Sequence, residues 1–332
     1  MNGLPACFSS RSAALEDGAA VAGLWNRRAG LSGRESPYEA ADVKHRWSTP
    51  GFDPSTDTFL VFREDGRLAA YAHLRDVKDP HVDLFVGVSV DPDSEDDDSL
   101  WGAAFDWLDA RGRQSVPRAP EGARVVLIAG AADGEEKTQE VLRCHGFELQ
   151  RTFHRLRHDF AGPPEDAAWP TGLSARGFRP GQDDAALVAA TREAFKDHYG
   201  HLEQPFEAEL ARLRHTMTED DFDERLWFLA VHRDEVCGFC LTYAEAQGDK
   251  ETGLVDELGV TPAWRRRGIG RALLLHAFCA LYDRGLKGVE LTVDSDNSAG
   301  ALDLYEGVGM RPVRRSHTFV KELRPGRNLV VE

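Results

Sequence analysis

The residues best suited to chemistry form a glycine- and arginine-rich stretch between a strand pattern and a helix pattern. Alternating apolar residues run up to Val260, and a helical apolar run follows at 272–281. Gly268 and Gly270 at the junction allow a tight turn without side chains, so N–H groups at the helix N-terminus can face an anion. The surrounding arginines are Arg265, Arg266, Arg267 and Arg271. The stretch therefore predicts a phosphate-binding loop, and the simpler alternative is a glycine turn with a solvated basic helix start.

Two common phosphate motifs are missing from this stretch. It contains no Gly-Lys-Ser/Thr, which excludes a P-loop, and no Gly-x-Gly-x-x-Gly, which excludes a dinucleotide fingerprint. The remaining pattern, Val-x-Pro-x-x-Arg-Arg-x-Gly-Ile-Gly-x-x-Leu-Leu, resembles the acetyl-CoA loop of the GNAT N-acetyltransferase superfamily. Asn297 and the segment 301–310 resemble a second motif of that family. The resemblance implies an α/β fold with a mixed α+β sheet, acetyl-CoA as co-substrate, and transfer of an acetyl group to an amine.

The resemblance also implies roles for individual residues. Backbone groups of a strand bind the pantetheine and the acetyl carbonyl in this family, and a bulge separates that strand from the next. The cofactor-binding residues implied here are Leu258, Gly259, Val260, Arg265, Arg266, Arg267, Gly268, Ile269, Gly270, Arg271, Asn297 and Tyr305. Asn297 serves equally well as a helix N-cap. Tyr305 is the candidate general acid, because a phenol with a pKa of about 10 can protonate a leaving thiolate; the alternative is a packing role.

The general base is one of two adjacent carboxylates, Asp256 and Glu257. Neighbouring strand residues point to opposite faces, so at most one of them should face the acetyl group. Family members often carry a carboxylate at the place of Asp256 or two residues earlier, where this chain has Leu254. Glu257 stays open, because a bulge changes the phase of a strand. Either residue could instead be a surface carboxylate.

The acceptor end of the site is less clearly marked. Residues 194–201 contain two histidines, an aspartate and two aromatic rings, which could line an amine-binding cleft or form an ordinary helix end. The acidic residues 218–224 could attract a cationic acceptor or be solvated. Cys237 and Cys240 lie in an apolar run without a second ligand pair, so they indicate core packing rather than zinc. We expect a small-molecule amine acceptor and no metal.

Length and charge limit the remaining classes. The chain has 332 residues and a net charge of −16, which argues against a nucleic-acid or anionic-membrane partner. The N-terminus lacks a basic segment followed by an apolar core, and no run approaches the ~20 apolar residues of a membrane span. A cytoplasmic protein is expected. The sequence does not indicate an oligomeric state.

The chain contains an internal repeat. Two apolar runs joined by 64–66 match two runs joined by 233–235, and both pairs predict a β-hairpin. Val90-Asp91-Pro92 matches Val260-Thr261-Pro262. The repeat predicts a degenerate GNAT-like domain at 1–163 and a catalytic GNAT domain at 170–332. The first copy has an acidic loop at 93–99 in place of the arginines, with Leu142 and Gly134 matching Tyr305 and Asn297. The rival interpretation is a non-catalytic acetyl-CoA-binding regulatory module.

Overall fold

The structure is a computed structural model, and it describes residues 4–32, 37–94, 97–219, 221–246, 248–296 and 301–331. The chain forms two compact units. Unit 1 comprises Met1–Thr152 and Arg315–Leu329, and unit 2 comprises Phe153–Arg314 and Val330–Glu332. The domain boundaries 1–163 and 170–332 stay a prediction. The compact units differ from these ranges, because unit 1 also contains Arg315–Leu329 and unit 2 already begins at Phe153.

The described strands of unit 1 form a mixed sheet with helices packed against it. The elements of the first half of the chain are β1 (Phe8–Arg11), α1 (Gly18–Ser32), α2 (Ala40–Trp47), α3 (Pro54–Asp57), β2 (Thr58–Arg63), β3 (Leu68–Arg75), β4 (Asp83–Val90), α4 (Asp98–Ser115), β5 (Val125–Ala132), α5 (Glu136–Cys144) and β6 (Glu148–Asp159). Strands β1 to β5 pair in sequence order, and only β4 and β5 are parallel. The last strand of the chain, β12 (Arg311–Arg324), completes this sheet by pairing antiparallel with β5.

Unit 2 repeats this plan. Its elements are β7 (Ser174–Gly177), α6 (Asp184–Phe195), α7 (Phe206–Thr216), β8 (Trp227–His232), β9 (Glu235–Tyr243), β10 (Thr252–Val260), α8 (Ile269–Asp283), β11 (Gly288–Asp294) and α9 (Ala301–Glu306). Strands β7 to β11 pair in order, only β10 and β11 are parallel, and β6 pairs antiparallel with β11. The mixed α/β sheet predicted from the sequence is confirmed.

The two predicted hairpins are confirmed as β2–β3 and β8–β9, both antiparallel. In the first hairpin Gly66 has a φ of 82°, a left-handed conformation that glycine adopts without steric cost. Arg233 occupies the matching turn of the second hairpin with a φ of 57°. Short turns of this kind fix strand register locally, which explains why the sequence pattern was sufficient to find them.

Helix α8 is the main support of the candidate site. Its apolar residues fill the core on one face of the unit 2 sheet, and the buried ones are Ile269, Ala272, Leu273, Leu274, Leu275, Ala277, Phe278 and Leu281. A second cluster, which includes Leu187, Phe239 and Leu241, packs on the other side with residues of α6. Because both faces are buried, side chains from β9 and β10 alternate between two apolar layers. Among the described residues, no helix is long and apolar enough to cross a membrane.

Candidate active site

The loop before α8 has the geometry of an anion-binding turn. Arg266 and Gly268 both adopt left-handed conformations, with φ values of 63° and 84°. The N–H of Ala272 donates to the carbonyl of Gly268 at 3.0 Å, and this is the first bond of the helix. The N–H groups of Ile269 and Gly270 precede that bond, so they have no partner within the helix. The loop therefore directs backbone donors and the positive end of the α8 dipole to one place.

The four arginines of the loop have different environments. Arg265 donates to the carbonyls of Val260 at 3.2 Å and Ala194 at 2.8 Å, which ties the loop to the end of α6. Arg267 donates to the carbonyl of Ala263 at 3.1 Å and lies over the Trp264 ring. These two guanidinium groups hold the loop in shape.

The remaining two arginines are available to a ligand. Arg271 forms an exposed ion pair with Glu165 at 2.8 Å, and exposed pairs contribute little stability. Arg266 is exposed and has no hydrogen bond or ion pair among the described residues. Gly270 packs tightly, because a Cβ there would lie 3.2 Å from the Leu304 side chain of α9.

Strands β10 and β11 separate where the resemblance predicts a gap. Only Thr252, Gly253 and Leu254 pair with β11, although β10 continues to Val260 and β11 to Asp294. A register irregularity between Val255 and Glu257 marks a bulge at Asp256 in the β9–β10 ladder. Beyond the bulge β10 stays paired with β9 and diverges from β11. The gap leaves Leu258, Gly259 and Val260 on an edge whose backbone groups can bind an extended ligand.

Packing requires a glycine at position 259, and the sequence did not show this requirement. It lies opposite Phe239 in the β9–β10 register, and a Cβ at Gly259 would lie 2.3 Å from that ring. The fully buried Phe239 ring therefore occupies the space over the glycine. His73 and Gly87 in unit 1 show the same arrangement, with a Cβ at Gly87 lying 2.3 Å from the His73 ring.

The bulge changes the face on which the two candidate bases lie. Glu257 is paired with Leu241, so it points to the α6 side of the sheet, where Phe239 and Leu241 are buried. Burial, and then the charge of Asp256, raise the pKa of Glu257 to about 7, while Arg212 opposes the shift. Glu257 has no hydrogen-bond partner among the described residues. A partly buried carboxyl of this kind can accept a proton near neutral pH.

Asp256, at the bulge, is the more exposed of the two. Burial of its carboxylate against the sheet, followed by the charges of Asp221 and Glu219, raises its pKa. Leu254, where family members can carry the base, packs into the apolar layer on the α6 side. The residue roles predicted for Asp256 and Glu257 stay predictions.

Tyr305 lies on α9 and packs against the α8 core, on the sheet face opposite Glu257. Burial, and next the neighbouring Cys240, raise its pKa to about 12. Its hydroxyl has no hydrogen-bond partner within the described part of the chain. A neutral, unpartnered phenol is therefore held beside the apolar layer that also contains Leu258 and Val260. Asn297 lies outside the described residues.

Two other segments considered in the sequence analysis, residues 194–201 and the cysteines of β9, lie near Phe239 or in the adjacent core. His198, after the end of α6, packs edge-on against Phe195 with ring centroids 4.9 Å apart, and Phe195 contacts Phe239 at 5.9 Å. Burial, then the charge of Arg265, lowers the pKa of His198. Cys240 is fully buried and Cys237 lies in the same core, consistent with packing. No group of three His, Cys, Asp or Glu side chains in the described ranges is placed to hold a metal ion.

The sequence reasoning missed Tyr243, whose side chain is 9 % exposed at the end of β9. Burial raises its pKa, and the charge of Asp256 adds to that effect ahead of Asp221 and Glu219. Its side chain therefore lies within reach of the charges of these carboxylates. The strand periodicity of β9 could have placed Tyr243 on the same face as Phe239 and Leu241, since the three residues are two apart.

The comparisons with known proteins agree with this geometry. Residues 188–310 match the Acetyltransferase (GNAT) family. The chain is 33% identical over 302 residues to a mycothiol acetyltransferase of Salinispora arenicola, covering 83% of this chain and 91% of that protein. It is 36% identical over 188 residues to a mycothiol acetyltransferase of Renibacterium salmoninarum, where the match spans 55% of this chain and about half (54%) of the relative.

A solved structure also matches this chain over nearly its full length. The GCN5-related N-acetyltransferase from Sphaerobacter thermophilus superposes with a TM-score of 0.83 and 30% identity, covering 98% of both chains. The fold and the site define a GNAT-type acyltransferase, and this chain belongs to the GNAT family of acetyltransferases. It is an N-acetyltransferase of the family that takes its acetyl group from acetyl-CoA.

Proposed function

We propose that unit 2 transfers the acetyl group directly from acetyl-CoA to a primary amine in the gap between β10 and β11. The observation that carries the proposal is the placement of two unpartnered groups on opposite faces of the sheet beside this gap. Glu257, with a pKa of about 7, lies on the α6 face, and the Tyr305 hydroxyl lies on the α8 face. One group can take a proton while the other gives one.

In the proposed reaction, Glu257 removes a proton from the ammonium form of the acceptor. The freed nitrogen attacks the thioester carbonyl, and backbone N–H groups at Leu258, Gly259 or Val260 stabilise the negative oxygen. When the carbon–sulfur bond breaks, Tyr305 donates its proton to the thiolate, and the nitrogen loses its second proton to water as the amide forms. The tyrosinate regains a proton from water, and Glu257 releases the first proton to solvent. Each proton is thus accounted for without a covalent enzyme intermediate.

The loop before α8 would hold the pyrophosphate of acetyl-CoA. Backbone N–H groups at the helix start provide directional donors, and Arg266 and Arg271 provide charge that the loop does not use for its own shape. Ile269 is buried and anchors the helix start in the core. Asn297 remains a candidate ligand of acetyl-CoA by the family resemblance.

Unit 1 would not bind a second acetyl-CoA. Asp97 caps the start of α4, and its carboxylate accepts from the N–H of Ser99 at 3.0 Å, so a carboxylate already occupies the anion-binding place. The buried Arg28 side chain of α1 donates to the carbonyl of Val90, the last residue of β4, at 2.9 Å. It also donates to the hydroxyl of Thr138 at 3.1 Å. A second pyrophosphate would meet negative charge at this helix start.

The proposed acceptor is a small-molecule amine, and the names of the relatives indicate which amines to test first. Their name, mycothiol acetyltransferase, makes acceptors of the mycothiol system the first compounds to test. Release of thiol from acetyl-CoA with a panel of amines tests the proposal, and mass spectrometry of the products excludes simple hydrolysis. Amine-dependent turnover that is lost in Glu257→Gln supports it. Tight binding of acetyl-CoA without turnover on any amine would favour the regulatory module instead.

A further inference from the structure

Unit 1 contains a cluster of basic and hydrogen-bond-donating side chains that the proposed reaction does not use. Two hydrogen bonds join the end of α2 to β3 at this place, and the cluster consists of Arg46, Tyr71, His73 and Arg75. Arg46 is exposed, and His73 and Arg75 are partly exposed, so solvent reaches the cluster. The net charge of the chain is −16, so positive charge without acidic partners is not the general state of its surface.

The two arginines of the cluster have no acidic partner. Neither Arg46 nor Arg75 forms an ion pair among the described residues. Arg46 lies over the Trp25 ring at 5.5 Å, and Arg75 donates one hydrogen bond, to Thr49 Oγ1 at 3.3 Å. A basic residue in the last turn of a helix suits the helix dipole, which accounts for Arg46 but not for Arg75. Most of the N–H donors of both guanidinium groups are therefore available to a ligand.

The acids nearest to these arginines in the sequence are engaged elsewhere. Asp42, one turn before Arg46 on α2, accepts from the N–H of Glu39 at 2.6 Å. Asp76, which follows the last residue of β3, forms ion pairs with Arg118 at 2.6 Å and with the His81 ring at 2.7 Å. Neither carboxylate neutralises the cluster.

The Tyr71 hydroxyl is a buried donor without an acceptor. Tyr71 is 2 % exposed, and its oxygen accepts from Trp47 Nε1 at 3.1 Å. Burial raises the pKa of Tyr71 to about 12, so the hydroxyl keeps its proton. This proton has no acceptor among the described residues. Because buried polar groups are usually paired, the unused donor indicates a place for an acceptor atom of a ligand.

The His73 ring adds a second unused polar group. It stacks on the Tyr71 ring with centroids 5.5 Å apart, and its Nδ1 is buried without a partner in the described part of the chain. Burial, and then the charges of Arg75 and Arg46, lower the pKa of His73 to about 3. The ring is therefore neutral near pH 7 and has one N–H to donate. It lies over Gly87, where a Cβ would come within 2.3 Å of it.

The corresponding position in unit 2 carries the candidate base. Gly87 pairs with His73 in unit 1, and Glu257 pairs with Leu241 in unit 2. Gly87 and Glu257 both lie three residues before the last residue of their strands. Unit 1 thus has an imidazole over a glycine where unit 2 has a carboxylate. The strand face that carries a negative group in unit 2 carries positive groups in unit 1.

Aromatic surface adjoins the cluster. Phe85 lies opposite Arg75 in the β3–β4 register and is 37 % exposed. The Lys78 ammonium group lies 5.2 Å from the centroid of the Phe85 ring, and Trp25 contacts Tyr71 edge-on at 5.9 Å. A planar guanidinium group next to an exposed aromatic ring suits a planar carboxylate attached to an apolar group.

We propose that this basic cluster of unit 1 binds a small organic monocarboxylate with an apolar or aromatic body. Arg46 and Arg75 supply the positive charge, and Tyr71 and His73 donate hydrogen bonds to the carboxylate oxygens. Phe85 contacts the apolar body. The site does not use the acetyl-CoA loop of unit 2, so it is independent of the proposed reaction.

Binding of benzoate to the full-length protein tests the proposal, with benzamide as the neutral probe of the same shape. The Cε1–H NMR signal of His73, assigned by its loss in His73→Gln, reports binding at the cluster itself. At constant ionic strength and pH, benzoate should shift this signal saturably. Benzamide should bind at least roughly tenfold more weakly, because it has no charge for the guanidinium groups. Equal affinities, or no saturable shift with benzoate, would overturn the proposal.

Variants assign the binding to the arginines. Arg75→Gln should weaken benzoate binding at least roughly tenfold, since hydrogen bonds between charged groups are the strong ones. Arg46→Gln replaces an exposed side chain, so it should fold normally, and it should weaken binding several-fold. Arg113→Gln, an exposed arginine of α4, is the matched control and should leave the Kd unchanged. An unchanged Kd in the Arg75 and Arg46 variants would refute the assignment.

Two competitors decide which kind of anion the cluster binds. Inorganic phosphate in excess should not displace benzoate; displacement at comparable concentrations would make the cluster a general anion site and overturn the carboxylate class. Acetyl-CoA should leave the benzoate Kd unchanged, and competition between the two would assign the cluster to the cofactor instead. Arg266→Glu, which alters the acetyl-CoA loop of unit 2, should also leave the benzoate Kd unchanged. Loss of benzoate binding in that variant would contradict the placement in unit 1.

Discussion

Replacing Glu257 with glutamine should make the protein less active and, above neutral pH, more stable. The glutamine keeps the shape of the side chain but cannot take a proton from the acceptor. Loss of a general base typically lowers the rate by ~10²–10⁴-fold, and we expect kcat/KM to fall within that range. The rate that remains should lose the rise with pH that ionisation of Glu257 gives the wild-type protein.

The gain in stability follows from the raised pKa. The carboxyl shifts from 4.5 to about 7 on folding, mainly through burial, and each pKa unit corresponds to about 1.4 kcal/mol. An ionised Glu257 therefore costs the folded protein about 3 kcal/mol as an upper value, and roughly 1–3 kcal/mol is expected because the side chain is only partly buried. Since the folded-state pKa is the higher one, this stability is present below about pH 4.5 and is lost as the pH rises through about 7.

Urea unfolding of both proteins at several pH values measures the effect. At about pH 8 the glutamine variant should be more stable, and the difference should shrink to less than half by about pH 5.5. Asp256→Asn is the matched control, because Asp256 is more exposed than Glu257. It removes only a charge next to the base, so kcat/KM should fall less than roughly tenfold. Unchanged activity in Glu257→Gln, or a variant less stable at every pH, would refute the reasoning.

Three further predictions concern the loop, the acid and unit 1. Arg266→Glu should weaken acetyl-CoA binding at least roughly tenfold by calorimetry, while Arg233→Glu, an exposed arginine with a similar φ in another turn, should not. Tyr305→Phe should lower the single-turnover rate at least roughly tenfold with the acetyl-CoA KM nearly unchanged, and an unchanged rate would reduce Tyr305 to a packing residue. Calorimetry should find one acetyl-CoA per chain; a second site that persists in Arg266→Glu would contradict the role given to Asp97.

The features predictable from the sequence are local ones. The glycine turn before α8 and the two hairpins depend on short patterns, and the order of elements follows from the repeat. The sequence could not decide between Asp256 and Glu257, because one bulge reverses the face of every later residue in β10. The bulge depends on pairing with β9, which is distant in the chain.

Other features need contacts that no local pattern contains. Gly259 stays a predicted cofactor-binding residue, and the sequence did not reveal that the Phe239 ring packs over it. Arg265 stays a predicted cofactor-binding residue, and the sequence did not reveal that its guanidinium donates to the carbonyl of Ala194, 71 residues earlier. The pairing of β12 with β5 joins residues almost two hundred positions apart, and the repeat alone gave no sign of it.

Direct transfer in unit 2 is tested most directly by intact-mass measurement of the protein after incubation with acetyl-CoA and no acceptor. Burial strongly raises the pKa of Cys240, the thiol nearest to Tyr305, so it should not act as a nucleophile. The account predicts an unmodified protein that acetylates amine as soon as the acceptor is added. A stoichiometric acetyl-enzyme that passes its acetyl group to the amine would contradict it.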